Sequence, residues 1–280
     1  LKLLRIGSPG SEVPAILDSD GAPRSLEGVV DDLAGDVLAD MSWAQGIDPM
    51  ELPALSGDLR IGPCVAGTGK FICIGLNYSD HAAETGQTPP DEPILFGKAT
   101  SSIIGPNDDV MIPKDGTKVD WEVELGIVIG KEARYVSREQ APDHVAGYCV
   151  VNDISERAFQ LERTGQWIKG KSADTFGPIG PWLVTPESVG DVANLSMWLE
   201  VDGQRFQDSS TRNMIFDVPE LVSQVSKFMS LQPGDLITTG TPPGVGLGMT
   251  PQVYLKPGQV MTLEIEGLGR QRQTVVAYSA

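Results

Sequence analysis

The sequence predicts an α+β chain that is mostly β, and three observations carry that expectation. From about residue 69 onward, short runs of β-branched and apolar residues recur at close intervals. The chain's 32 glycines and 21 prolines in 280 residues punctuate those runs with turn chemistry. Windows with helical spacing are few, so the pattern is strand and turn rather than alternating strand and helix.

Taken in order, Lys2–Ile6 and Val13–Leu17 read as strands, with Asp18-Ser19-Asp20-Gly21 as the turn after them. Residues 25–45 place Leu26, Val29, Val30, Leu33, Val37, Leu38 and Met41 at helical spacing, which predicts one or two helices. The Pro- and Gly-rich stretch 47–68 reads as a linker, dividing a small N-terminal α+β domain (1–65) from a larger domain (66–280). In the larger domain the strand candidates are Lys70–Ile74, Ile94–Phe96, Val110–Ile112, Val123–Ile129 and Ala146–Val151. They continue with Gly180–Val184, Met197–Val201, Asp235–Thr239, Val260–Ile265 and Arg272–Tyr278. Helical windows fall at 78–85, 137–141, 154–163 and 218–230. There is no internal repeat and no low-complexity tract.

The net charge of −17 argues against nucleic acid and anionic membranes as partners. It leaves room for an acidic small substrate, because a local cation can reverse the field in a pocket. No stretch approaches the ~18 apolar residues of a membrane span, and the Leu1–Gly7 run reads as a first strand rather than a signal peptide. Cys64, Cys73 and Cys149 are odd in number, widely spaced and mostly in apolar surroundings. That predicts reduced, buried thiols in a cytoplasmic protein.

The most informative run is Asp120-Trp121-Glu122-Val123-Glu124-Leu125-Gly126-Ile127-Val128-Ile129. On a strand, Glu122 and Glu124 share a face and repel each other. Water offsets that on a wet face, and a divalent cation does so in a pocket. The uninterrupted Ile127-Val128-Ile129 predicts burial on both faces and so favours the pocket. A second apolar run, Ala146–Val151, ends in Asn152-Asp153, which offers a third carboxylate. Three carboxylates with no nearby His or Cys favour Mg²⁺, Ca²⁺ or Mn²⁺ over Zn²⁺, with water or substrate in the remaining positions.

Three further stretches carry chemistry. His81 and Glu84 are spaced i, i+3 on a short capped helix, where a carboxylate would orient and strengthen an imidazole base, or form an incidental surface pair. His144, the other histidine, sits in a turn-like context and reads as a surface loop. Lys171, in Lys169-Gly170-Lys171-Ser172, could reach into a pocket, although the stretch alone reads as an ordinary solvated lysine. The Gly244-Val245-Gly246-Leu247-Gly248 triplet follows Pro242-Pro243, is not followed by a helix and lacks the acidic partner of a dinucleotide fingerprint. It reads as a turn-rich loop whose N–H groups and threonines could hold a carboxylate.

Together these stretches resemble the fumarylacetoacetate hydrolase superfamily. The matching segments are Gly75–Glu84, Pro93–Lys98, Asp120–Gly130, Gly147–Asp153 continuing to Gln160, Lys171–Pro181 and Gly234–Gly248. The N-terminal part is similar to the leading domain of the bacterial branch that hydrolyses 2,4-diketo-3-deoxy-L-fuconate or -rhamnonate. The resemblance implies a mixed β-roll or β-sandwich core, a homodimer or homotetramer, and Mg²⁺, with Mn²⁺ as the alternative, held by Glu122, Glu124 and Asp153. It implies His81 and Glu84 as the catalytic pair, Lys171 facing developing negative charge, and Arg157, Gln160, Thr241 and Lys98 around the substrate. Asn77 departs from the long eukaryotic members, which carry an aspartate there as a fourth ligand. The implied reaction is attack of water, activated by His81, on C4 of a 2,4-diketo acid, releasing pyruvate and a hydroxy acid such as lactate. Within the same superfamily, acylpyruvate hydrolysis, oxaloacetate decarboxylation and 2-hydroxyhepta-2,4-diene-1,7-dioate isomerisation are the alternatives. Outside it, a non-catalytic Ca²⁺-stabilised β-module or a dinucleotide oxidoreductase would be the rivals. The loop 203–216, with Arg205, Arg212 and Asn213, is the sequence's candidate for reading the substrate tail.

Overall fold

In a computed structural model that describes residues 1–80 and 89–279, two β-sheets face each other across the main core. The strands are β1 (Lys2–Ile6), β2 (Val13–Leu17), β3 (Pro23–Ser25), β4 (Phe71–Gly75), β5 (Ile94–Lys98) and β6 (Ile103–Ile104). Next come β7 (Val110–Met111), β8 (Val119–Asp120), β9 (Val123–Ile129), β10 (Val145–Asn152), β11 (Ser155–Glu156) and β12 (Gly177–Val184). The last are β13 (Ser196–Val201), β14 (Gln204–Ser210), β15 (Leu236–Thr238), β16 (Val260–Ile265) and β17 (Gly269–Val276). The α-helices are α1 (Gly35–Ala39), α2 (Arg157–Leu161), α3 (Ile168–Lys171), α4 (Pro186–Val189) and α5 (Val218–Phe228).

The larger, ten-stranded sheet runs β3-β2-β1-β12-β10-β9-β15-β4-β5, with β6 joining β12. A five-stranded sheet, β14-β13-β16-β17-β7, packs over one face of it. Side chains from β9 divide between two cores as the period of two requires. Val123, Leu125, Ile127 and Ile129 enter the core beneath the five-stranded sheet and α5, while Val128 enters the core on the opposite face. The run is therefore apolar throughout because it is buried on both faces.

Helix α5 forms because Val218, Leu221, Val222 and Val225 repeat at helical spacing, with Asp217 capping the Glu220 N–H at 3.1 Å. The window 25–45 behaves differently. Leu26–Val30 closes as a tight turn, and only Gly35–Ala39 is α-helical. Asp32, bridged to Arg5 of β1 at 2.7 Å, holds that turn against the sheet, and Leu26, Leu33 and Leu38 are buried without a continuous helix. The stretch 47–68 is packed rather than free. Its backbone bonds back to β1 and β3 through Gly62 N to Arg5 O (2.8 Å) and Ser25 N to Pro53 O (2.8 Å). Strand β1 pairs with β12, so the first three strands extend the same sheet that carries β9 and β10. All three cysteines are free and buried. Among the described residues, no helix is long and apolar enough to cross a membrane.

Candidate metal centre and substrate pocket

The antiparallel register of β9 and β10 builds the centre. Val151 opposes Glu124 and Asn152 opposes Val123, so the next step along both chains brings Asp153 opposite Glu122. The Asp153 N–H donates to the Glu122 carbonyl at 2.9 Å. Opposed residues of an antiparallel pair point to one face. Glu122, Glu124 and Asp153 accordingly converge, each offering a carboxylate oxygen within 4.8 Å of the others, and all three are buried. Such a cluster of hard oxygen donors, with no His or Cys among them, fits a hard divalent cation.

Three cationic side chains surround the triad. Lys171, at the end of α3, donates to Glu122 Oε2 at 2.8 Å and Asp153 Oδ2 at 2.6 Å. It reaches there because α3 lies directly against α2. A Cβ on Gly170 would stand 2.5 Å from the Glu156 carbonyl and 2.6 Å from Gln160 Cβ, so only glycine permits the approach. Arg157 donates from Nε to Asp120 Oδ2 (2.9 Å) and from its terminal nitrogens to Glu122 Oε1 (2.6 Å) and Gln160 Oε1 (3.0 Å). Lys98, at the end of β5, donates to Asp153 Oδ1 at 2.5 Å and the Ile154 carbonyl at 3.0 Å.

The carboxylates of Asp120, Glu122, Glu124 and Asp153 thus face Lys98, Arg157 and Lys171, a formal net of one negative charge. Burial works to raise the Glu122 pKa, but Lys171 and Arg157 outweigh it and hold this carboxyl below the usual range. Glu124 is pushed well above the usual range by burial and by the charges of Asp153 and Glu122. Its nearest fixed donor is the Gly240 N–H, at 3.0 Å from Oε2. Burial works against the Lys171 ammonium, yet Asp153 and Glu122 prevail and raise its pKa. The site is therefore a lysine-neutralised carboxylate cluster with one member, Glu124, disposed to keep a proton until another cation displaces it.

A cavity of about 240 Å³ opens onto this cluster. Its polar lining is Glu122, Glu124, Arg157, Gln160, Lys171 and Thr241. Its apolar lining includes Ile74, Leu76, Phe96, Trp167 and Leu247. Thr241 lies at the wall, but its hydroxyl is engaged, donating to the Val123 carbonyl (3.0 Å) and accepting from Gln207 Nε2 (2.8 Å).

Several expectations land elsewhere. Lys98, expected around the substrate, is fully buried behind Asp153 and is not among the residues lining the cavity, because its ammonium is drawn to Asp153. Residues 203–216 are not a tail-reading loop. Gln204–Ser210 form edge strand β14, and exposed Arg205 pairs with Glu200 at 2.8 Å over the Trp198 ring. Asn213 donates instead to Asp80 Oδ2 at 3.0 Å. The glycine loop does hold carboxylates, but they are the protein's own: Gly246 N and Leu247 N donate to Asp120 at 2.7 and 2.9 Å. Asn77 is buried and spends its amide on the Phe216 and Thr239 carbonyls (2.9 and 2.8 Å), and so acts as a strut. His144 closes a 3₁₀ turn at Ala141–His144. His81 and Glu84 lie outside the described residues.

Two positions at the site are not among the candidates the sequence offers. Asp120 is completely buried and ties Arg157 to the 246–247 loop. Its place in the Asp-Trp-Glu-Val-Glu run was the only signal. Trp167 forms part of the pocket wall, and nothing in its local sequence marks it.

Fold and site define a β-roll protein with a buried three-carboxylate centre at the base of a small-molecule pocket. The family model for the fumarylacetoacetate (FAA) hydrolase C-terminal domain matches residues 70–276. The chain belongs to the fumarylacetoacetate hydrolase family. It is 60% identical over 276 residues to a Burkholderia multivorans protein named "Putative hydrolase", with 98% of each chain covered. Among solved structures it is similar to the fumarylacetoacetate hydrolase of psychrophilic Exiguobacterium antarcticum, at 35% identity and TM-score 0.89 over 99% of both chains. It is also similar to the 2-hydroxyhepta-2,4-diene-1,7-dioate isomerase of Mycobacterium marinum, at 32% identity and TM-score 0.76 over 100% of both chains.

Proposed function

We propose that the chain is a divalent-metal-dependent hydrolase that cleaves the C3–C4 bond of a 2,4-diketo acid, giving pyruvate and a carboxylic acid. The observation that carries this is the buried triad Glu122, Glu124 and Asp153 at the base of a cavity that also presents Lys171. Those three carboxylates would hold Mg²⁺, or Mn²⁺, which when bound supplies a Lewis acid toward the keto-acid oxygens.

The remaining chemistry falls to side chains. Gln160 has its carbonyl taken by Arg157, which leaves its amide N–H group to orient a substrate oxygen. His81, oriented by Glu84, would accept a proton from water as the water oxygen bonds to C4. Lys171 would face the oxyanion that forms there. The C3–C4 bond then breaks, C3 takes up a proton, and the acyl carbon leaves with the water oxygen. Atoms balance as diketo acid plus water giving pyruvate plus acid. The proposed state is a cytoplasmic homodimer or homotetramer.

The test is incubation with Mg²⁺ and a panel of 2,4-diketo-3-deoxy sugar acids, acylpyruvates and oxaloacetate, following pyruvate by coupled reduction to lactate. Release of one pyruvate and one acid per diketo acid, abolished by EDTA, is the expected result. Likeness to an isomerase of the same fold motivates a second reading, in which the site moves protons without adding water. Conversion of a dienedioate with no acid released would select it over hydrolysis.

A further inference from the structure

Resting on the diketo-acid reading, we infer that the substrate's acyl tail is apolar and is read by a wall built around Trp167, rather than being the hydroxylated tail of a sugar acid. Four of the polar groups that line the cavity, Lys171, Glu122, Arg157 and Gln160, are bonded to one another. A keto-acid head belongs there, with its charge against the cations and the triad. The tail then meets the rest of the lining, where Ile74, Phe96, Leu161, Trp167, Val245 and Leu247 stand. Among the described residues, the Trp167 indole N–H is the one polar atom those six side chains offer.

This wall is built, not incidental. Trp167 is half-buried at the start of α3 and meets Phe96 edge-on, with ring centroids 5.2 Å apart at 68°. It lies directly on Gly75, where a Cβ would come within 2.8 Å of Trp167 Cζ3. Phe96 in turn carries Lys171 Nζ 5.1 Å from its ring centre, which joins the apolar wall to the charged cluster. Leu161, at the end of α2, is 46% exposed, an apolar side chain left facing solvent at the cavity edge. A hydroxyl placed on such a wall gives up its water and finds no adequate partner, whereas a methylene gains by leaving water.

The experiment uses the Mg²⁺-loaded full chain and the series R–CO–CH₂–CO–COO⁻ with R methyl, ethyl, propyl and butyl, beside the R = 1-hydroxyethyl compound. Pyruvate release should rise in kcat/KM about fourfold per added methylene. The 1-hydroxyethyl compound should fall about tenfold below its ethyl counterpart. Trp167→Ala should flatten the rise along the series, and Leu161→Asn should narrow the ethyl to hydroxyethyl gap. Leu161 is exposed, so its variant decides the matter should Trp167→Ala fail to fold. A flat series in the native enzyme, or a 1-hydroxyethyl compound turned over as well as the ethyl one, overturns the apolar tail while leaving the diketo-acid reading standing. Absence of pyruvate from every member overturns the diketo-acid reading itself and the inference with it.

Discussion

Replacing Lys171 with methionine should separate the stability of the site from its affinity for metal. The ammonium sits 2.8 Å from Glu122 Oε2 and 2.6 Å from Asp153 Oδ2, with a side chain only 2% exposed. Methionine keeps most of the volume and removes the charge. A unit charge pair 4 Å apart is worth about 4 kcal/mol at an effective dielectric of ~20. Burial of the groups offsets part of this, and removing one partner of a buried pair costs about 3–5 kcal/mol. We therefore expect the metal-free variant to lose about 3–5 kcal/mol of unfolding free energy in urea titrations with EDTA. Divalent affinity should move the other way, because ammonium and metal compete for the same two carboxylates. In a Mn²⁺ titration followed by electron paramagnetic resonance, the variant should bind more tightly than the native protein. Saturation at a hundred times Kd adds about 2.7 kcal/mol, so metal should recover much of the lost stability. Turnover should nonetheless fall by roughly 10²–10³, because the donor facing the oxyanion is gone. Weaker Mn²⁺ binding by the variant would refute the competition argument, and unchanged stability in EDTA would refute the claim that Lys171 neutralises the triad.

Other perturbations give equally definite outcomes. Glu124 keeps its proton above the usual carboxylate range in the metal-free site, so metal uptake should release a proton. Apparent affinity should then climb up to about tenfold per pH unit and level off above the Glu124 pKa, as calorimetry in two buffers of different ionisation enthalpy would show. The same raised pKa means that metal-free stability falls as pH rises from the unfolded carboxyl's value of 4.5 toward the folded one, which urea unfolding across pH would reveal. Asp120→Asn leaves Arg157 facing a neutral amide and strains the bonds from Trp121, Gly246 and Leu247, so urea unfolding should show a loss of about 3–5 kcal/mol. His81→Ala should lower kcat by about 10²–10⁴ with Mn²⁺ affinity unchanged, and native-like turnover would remove it from the mechanism.

What the sequence made legible was the local chemistry. Val123–Ile129 and Ala146–Val151 are read as strands because β-branched residues buried on two faces leave a continuous apolar run. The Glu-x-Glu spacing and a strand-terminal Asp153 name three carboxylates, but only the β9–β10 register places the third opposite the first. Non-local pairings stayed hidden. Nothing around residue 2 announces that β1 will join β12, more than 170 residues away. Strand β14 passes for a loop because Gln204-Arg205-Phe206-Gln207-Asp208 is polar, which is what an edge strand with one wet face looks like. Lys98 shows the limit at the level of a single side chain. A lysine closing an apolar strand can point to substrate or to a buried acid, and the choice is made by Asp153 from a strand end 55 residues further on.

The charge of the whole chain and the charge of the pocket are separate quantities, and the pocket decides what binds. At physiological ionic strength, surface charges are screened over about 8 Å, so most of the −17 acts weakly on a ligand already inside the cavity. The buried cluster is barely screened. With Glu124 protonated it is formally neutral, and with Glu124 ionised it carries one negative charge. Neither state attracts a keto-acid anion. A divalent ion on the three carboxylates turns one negative charge into one positive, beside an Arg157 and a Lys171 already held cationic by their partners. On the proposed function, the field that admits the anion would thus be created by the metal, while the lysine and arginine pair with the triad in its absence. On the proposed reading, selectivity would be left to the apolar lining of the cavity, where Trp167, Leu161 and Leu247 would discriminate by the water a tail must give up rather than by charge.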